Sequence, residues 1–131
     1  MVIDSSAVLA VLLHEPEAAI FAQVIEQAAI RLLSAASLIE SSIVVETRKG
    51  EAAARELDQF IYRARVEIIP VDSEQAEIAR IAWRIYGKGR HRAALNYGDC
   101  FAYALAKATG SPLLFKGDDF SHTDIKPASR R

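Results

Sequence analysis

Apolar residues along this chain fall into two patterns. Short unbroken runs, bounded by polar or turn residues, alternate with longer stretches where apolar positions recur every three or four residues. The runs Met1-Val2-Ile3, Leu32-Leu33 within Arg31–Ser34, Val66–Val71 and Leu113-Leu114-Phe115 predict buried strands. Thr123-Asp124-Ile125 is a candidate fifth strand. Ala7–Leu13 is too uniformly apolar to classify by period. Its good helix formers and lack of strand punctuation predict a buried helix, closed by His14-Glu15-Pro16.

The periodic stretches predict the remaining helices. Glu17–Ala29 follows Pro16, which suits a first turn, and carries Ile20, Phe21, Val24 and Ile25 on one face. A helix capped by Ser34 or Ser37 runs to Lys49 and stops at Gly50. Glu51–Arg65 spaces Leu57, Phe60 and Ile61 helically. Asp72-Ser73 opens a helix with Ile78, Ala79, Ala82 and Ile85 inward, ending near Gly87, and Asp99–Thr109 is closed by Gly110. Strands alternating with helices mean an α/β domain with a mostly parallel central sheet of four to five short strands. Ligands of such sheets bind beyond the carboxyl ends of the strands. The length of 131 residues, with no repeat or linker, predicts a single domain over residues 1–131.

Composition narrows the reading. With 51% hydrophobic residues the chain can build a core, and its net charge of −1 excludes nucleic-acid binding by bulk positive charge. Any such contact needs a local patch. The single cysteine, Cys100, favours a reducing compartment and sits in an apolar helical run, as a core residue does. No apolar run approaches the ~20 residues that span a bilayer, and the N-terminus lacks the cationic start of a signal peptide. A cytoplasmic protein with no membrane segment is expected.

The candidate chemistry is acidic. Asp4 ends the first strand, and Asp118-Asp119 follow the Leu113–Phe115 strand after Lys116-Gly117. Glu40 has Ala36, Ser37, Ile43 and Val44 as its helical neighbours, so it lies on or beside a buried stripe. Asp99 opens a helix of Ala, Tyr, Phe and Leu. Glu46, Glu51 and Glu56 have polar surroundings and read as solvated. Asp4 and Asp99 each also suit a helix N-cap, Glu40 a surface ion pair, and Asp118-Asp119 a turn. Taken together, carboxylates gathered at the ligand edge of a sheet repel one another, and a divalent cation lets them stay ionised. An all-oxygen set suits Mg²⁺ or Mn²⁺ rather than zinc. His14, His91 and His122 show neither metal-ligand spacing nor a nucleophilic serine beside them.

These segments carry a resemblance. Val2-Ile3-Asp4-Ser5-Ser6-Ala7, Ser37-Leu38-Ile39-Glu40, Leu95-Asn96-Tyr97-Gly98-Asp99-Cys100, and Leu113–Phe120 with Thr123-Asp124-Ile125 resemble the PIN domain, in order and over essentially the whole chain. More narrowly, they are similar to the VapC-type ribonuclease toxins of toxin-antitoxin pairs. The resemblance implies a PIN-like three-layer fold and an Mg²⁺- or Mn²⁺-dependent ribonuclease. It also implies neutralisation by a VapB-type antitoxin, usually in a complex built on a homodimer. The family's acids carry over onto Asp4, Glu40 and Asp99, with Asp4 and Asp99 as direct metal ligands and Glu40 ligating or orienting water. Many relatives have an acid at the position of Gly117; here the acids fall at 118 and 119, and Asp119, directly before Phe120, is preferred to Asp118.

Around these acids, Ser6 is a candidate to hydrogen-bond a ligand carboxylate or to cap the helix. Between Glu77 and Asp99 the chain has no acid, and Arg84, Lys88, Arg90 and Arg92 form the candidate RNA-guiding patch. Phe21, Ile25, Leu57, Phe60 and Ile61 provide for a core stripe and some exposed apolar surface, into which an antitoxin helix would lie. Two alternatives remain: a free-standing PIN nuclease of RNA processing, and a non-catalytic PIN-like module that keeps the acids for partner contacts. A haloacid-dehalogenase-type phosphatase is disfavoured, because it needs an acid where Ser6 stands.

Overall fold

Apolar residues at both faces of every inner strand determine the architecture. The structure, a computed structural model, describes residues 1–128. The strands are β1 (Val2–Ile3), β2 (Leu32–Ser34), β3 (Glu67–Ile69) and β4 (Leu113–Leu114), in the order β3-β2-β1-β4 and all parallel. Val2, Leu32 and Leu113 project to one side and join a core cluster with Leu95, Tyr103 and Leu105. Ile3, Leu33 and Leu114 project to the other side and meet Val8, Phe21, Ile25 and Leu57. Period-two alternation thus feeds two cores, which is why these strands read as unbroken apolar runs.

Helices cover both faces. α1 (Ser5–Leu12), α2 (Ala18–Gln27) and α4 (Glu51–Arg63) close one side; α5 (Ser73–Tyr86) and α6 (Tyr97–Thr109) close the other. α3 (Ala35–Lys49) packs against α1, α4 and α6 together. It joins α4 directly at Gly50, whose φ of +85° is one that an L side chain resists. No helix is long and apolar enough to cross a membrane among the described residues.

Several expectations shift by a few residues for local reasons. α1 starts at Ser5, not Ala7, because Asp4 is its N-cap and accepts from the Ser6 N–H at 3.0 Å. Of the two serines offered for α3, Ser34 is the cap. β3 is shorter than Val66–Val71 because Pro70 has no N–H for the ladder. α6 starts two residues early, at Tyr97. Asn96 is its cap, and Asp99 sits one turn in, as the second member of a capping box.

Two expectations are overturned. Thr123–Ile125 is not a strand: the chain turns through a 3₁₀ helix at Asp119–His122 and touches the sheet only at a bridge between Pro127 and Leu113. Asp124 is drawn aside by the Tyr103 hydroxyl at 2.7 Å and the Lys107 ammonium at 2.8 Å. Ile85 faces solvent rather than the core. The inward stripe of α5 runs Gln75, Ala79, Ala82, Tyr86, and Tyr86 fills the place beside Tyr103.

Candidate active site

The carboxyl ends of β1 and β4 lie side by side, so the segments that follow them share one edge of the sheet. Asp4 leaves β1 with its N–H bonded to the Leu114 carbonyl at 2.9 Å. Its side chain is 3% exposed. Oδ2 accepts the Ser6 hydroxyl at 2.6 Å and the Ser6 N–H at 3.0 Å. The Ser6 hydroxyl in turn accepts the Lys116 N–H at 2.9 Å, so the strand exit of β4 is tied to the Asp4 carboxylate through one serine. Ser6 therefore both orients Asp4 and shares in capping α1.

Burial pushes the Asp4 carboxyl up to about 6, against the pull of its Ser6 bonds, and the Glu40 charge adds to the rise. Keeping it ionised at neutral pH costs about 3 kcal/mol. An N-cap contributes only ~1 kcal/mol, and Asn or Ser would cap as well without that penalty. Capping alone does not account for an aspartate here.

Three further acids approach from separate elements. Burial pushes the Asp99 carboxyl up to about 7, and the charges of Asp4, Asp119 and Glu40 add to the rise. Asp99 Oδ2 accepts the Asn96 N–H at 2.9 Å within the capping box. Glu40, half-buried on α3, accepts the Ser5 hydroxyl on Oε1 at 2.9 Å. Asp119 is exposed at the start of the 3₁₀ helix, and its charge is among those that raise the Asp99 carboxyl. Asp118 is exposed and uses its carbonyl to hold the Ser121 N–H and hydroxyl.

The site is open rather than caged. Among the described residues no three acidic, histidine or cysteine side chains already stand at the spacing of a closed metal site. The donor chemistry nonetheless fits a hard divalent cation. Mg²⁺ keeps several waters and needs only one or two carboxylates, and buried carboxylates that raise one another's proton affinity are relieved by such a charge.

The basic residues precede α6 in the chain, and Arg84 lines a cleft with Tyr97 and Cys100 at the start of that helix. Arg84, Lys88, Arg90 and Arg92 are all exposed on the end of α5 and the loop leading to Asn96. The Arg90 guanidinium stacks over Trp83 at 4.3 Å. The loop is held by bonds from Lys88 N–H to the Leu95 carbonyl and Leu95 N–H to the Tyr86 carbonyl, and buried Ala93 and Leu95 anchor it. Cys100 is buried beneath it, its thiol pushed up to about 11 by burial and by Asp99.

Two residues of the site went unread in the sequence. Ser5 reaches 35 positions along the chain to Glu40. Gly98 faces the Glu40 carboxylate so closely that a Cβ there would lie 2.8 Å from both of its oxygens. The local signals were a second serine after Asp4 and a glycine inside a helical first turn.

The sequence matches the PIN domain over residues 1–126. The chain belongs to the PIN-domain family. It is 57% identical over 125 residues to Ribonuclease VapC30 of Mycobacterium tuberculosis, covering 95% of each chain. It is 54% identical to Ribonuclease VapC of Mycolicibacterium smegmatis over 95% of this chain and 97% of the relative. Within the PIN domains it therefore groups with the VapC ribonuclease toxins. Its fold matches the crystal structure of M. tuberculosis VapC20, described as a sarcin-ricin loop cleaving toxin, with a TM-score of 0.77 at 16% identity over 95% of each chain. The PIN domain's three layers and parallel sheet are those seen here.

The raised carboxyls of this PIN domain make a testable signature. Asp4 and Asp99 bind protons more tightly folded than unfolded, so between about pH 4 and pH 7 the unfolded chain holds fewer protons and their ionisation lowers stability as pH rises. Asp4→Asn keeps the cap and removes the ionisation. In EDTA, its melting temperature is expected to gain on that of the unsubstituted protein from pH 5 to pH 8. Adding Mg²⁺ at pH 8 should reverse the order. A difference independent of pH would mean that the Asp4 carboxyl is solvated.

Proposed function

We propose that this protein is a divalent-metal-dependent ribonuclease, Mg²⁺ or Mn²⁺ serving as cofactor, and the toxin of a toxin-antitoxin pair. The observation that carries the nuclease reading is the convergence on Asp99 of the charges of Asp4, Glu40 and Asp119, four acids from four segments at one sheet edge. The names of its relatives support RNA as the substrate.

When bound, the cation supplies an acidified water and neutralises charge that develops on the phosphate. Asp4 and Asp99 are the residues that would hold it. Ser6 keeps Asp4 Oδ2 occupied and its carboxylate in one orientation. Glu40, with Oε1 tied to Ser5, orients the water that attacks phosphorus. Asp119 completes the acidic rim. Asp4→Asn, Glu40→Gln and Asp99→Asn should each lower cleavage of an RNA oligonucleotide by orders of magnitude with circular dichroism unchanged. Turnover by the unsubstituted protein in excess EDTA would sink the reading.

Arg84, Lys88, Arg90 and Arg92 guide the RNA backbone toward the acids. Each phosphate contact to a single strand contributes about −0.7 to the slope of log K against log salt. Replacing the four with Ala should weaken RNA binding and flatten that slope by one to three such contacts (~0.7–2). An unchanged slope would reassign them to solubility.

Two surfaces suit protein partners. Phe21, Ile25 and Leu57 are buried and Phe60 and Ile61 half-buried, so of these five the first three serve the core and the last two leave part of their apolar surface open. The helices leave a cleft of about 440 Å³ between α1, α2 and α4, lined by Val11, Leu12, Ala22 and Phe60 with Glu26, Glu56 and Arg63. We assign the VapB-type antitoxin helix to this cleft. The length of α1, about 12 Å, separates this cleft from Asp4, so a basic side chain reaches the acids from a segment of the antitoxin that continues past the docked helix along α1.

The exposed apolar face is elsewhere. Ile39 and Ile43 of α3, Tyr97 of α6 and Trp83 of α5 are exposed, and the clefts they line meet at Tyr97 and Phe101. We assign this face to the homodimer. Ile43→Asp should yield a monomer in sedimentation that still captures the antitoxin, and Ala22→Asp a dimer that does not. Either variant giving the other's phenotype would overturn the assignment.

A further inference from the structure

Two positions in this fold hold residues that local stability disfavours, and both touch the same carboxylate. Ser5 is the first residue of α1, where the cap is already supplied by Asp4 and the backbone asks nothing of a hydroxyl. It is nearly buried, so alanine would suit the helix and its surroundings better. Its hydroxyl instead crosses to α3 and donates to Glu40 Oε1 at 2.9 Å.

Gly98 is the second residue of α6 and has an ordinary helical backbone, with no positive φ to demand glycine. A glycine inside a helix is unfavourable relative to alanine. The three nearest atoms that a Cβ would meet are Oε1, Oε2 and Cδ of Glu40, at 2.8, 2.8 and 3.0 Å. The equal distances to the two oxygens put the whole carboxylate in the space that a side chain at position 98 would fill. A methyl group there forces Glu40 to turn away or withdraw.

We infer that Ser5 and Gly98 are positioning residues for Glu40: the serine fixes one carboxylate oxygen, and the missing side chain leaves the pocket in which the carboxylate sits beside Asp99. The inference rests on the nuclease reading and adds to it how a half-buried glutamate on a third helix is held at an edge built by β1 and α6. Glu40 receives no such help from α3: its neighbours one turn away are Ala36, Ser37, Ile43 and Val44, and the one hydroxyl among them, that of Ser37, makes no hydrogen bond. Held from α1 and cradled by α6, it has one orientation rather than the several a free glutamate samples.

The experiment compares Ser5→Ala, Gly98→Ala and Glu40→Gln in the full chain, with Mn²⁺ affinity by calorimetry, single-turnover RNA cleavage and melting in EDTA as readouts. Ser5→Ala and Gly98→Ala should melt at or above the temperature of the unsubstituted protein. Both should weaken Mn²⁺ binding or slow cleavage by about ten- to a hundred-fold, the size typical of lost support to a ligating group. Ser5→Thr, which keeps the hydroxyl, should recover most of the loss. Because Ser5 acts through Glu40, adding Ser5→Ala to Glu40→Gln should change nothing further.

Affinity and cleavage within twofold of normal in both alanine variants, with Glu40→Gln impaired, would overturn the positioning role and leave the nuclease reading intact. An equal loss from Ser5→Ala with and without Glu40→Gln would overturn it too, by showing that Ser5 acts elsewhere. If Glu40→Gln itself leaves both readouts untouched, the inference falls with the role of Glu40. Should Gly98→Ala fail to fold, the Ser5 series decides alone.

Discussion

The buried carboxylate of Asp4 is the constraint on which the rest of this structure depends. It stands where β1 ends and α1 begins, in the middle of the sheet, and its N–H, its carbonyl and one carboxylate oxygen are all hydrogen-bonded. Its own N–H closes the ladder to β4, its side chain opens α1, and Ser6 relays it to the backbone of Lys116. A charge in that position is unfavourable by itself. The surrounding elements are arranged so that the same few hydrogen bonds serve strand pairing, helix initiation and the geometry of the site. Glu40 then approaches it from α3, held by Ser5 of α1, and Asp99 from α6, held by the Asn96 that caps its own helix.

Much of this was legible in the sequence because the signals were local. A strand that ends in aspartate and passes into an apolar helix can be read from Met1–Leu13 alone, and Gly50, Gly110 and the Asn96–Asp99 segment mark helix ends by their own backbone chemistry. Asp99 reads in the sequence as the start of its helix or its N-cap; it lies in the first turn, and the cap is Asn96. What was not legible depended on distance. The reach of Ser5 to Glu40, and the space Gly98 leaves for it, join three segments with no periodic relation. Ile85 was misread because two stripes a quarter-turn apart are both apolar, and only the packing of Tyr86 against Tyr103 selects between them. The extra strand at Thr123–Ile125 failed for the same reason: Asp124 is claimed by Tyr103 and Lys107, which the local pattern does not disclose.

Around the site the chain divides its surface by character. Acids occupy the sheet edge, cations the loop that leads into α6, and exposed isoleucines and aromatics the face between α3 and α5. The Lys116 ammonium is kept for structure, paired with Glu15 at 2.8 Å and Glu17 at 3.4 Å, so the connection between α1 and α2 is fastened to the loop that carries Asp119.

The pairing of β1 with β4 also sets an order of events. Val2 and Ile3 align with Leu113 and Leu114, so the second residue of the chain waits for one more than a hundred positions later before its strand is flanked on both sides. Contacts of such long sequence separation form slowly and late. Asp4 leaves the ribosome first among the acids and Asp119 last, with nearly the whole chain between them. A growing polypeptide therefore carries no complete set of carboxylates until its synthesis is almost finished.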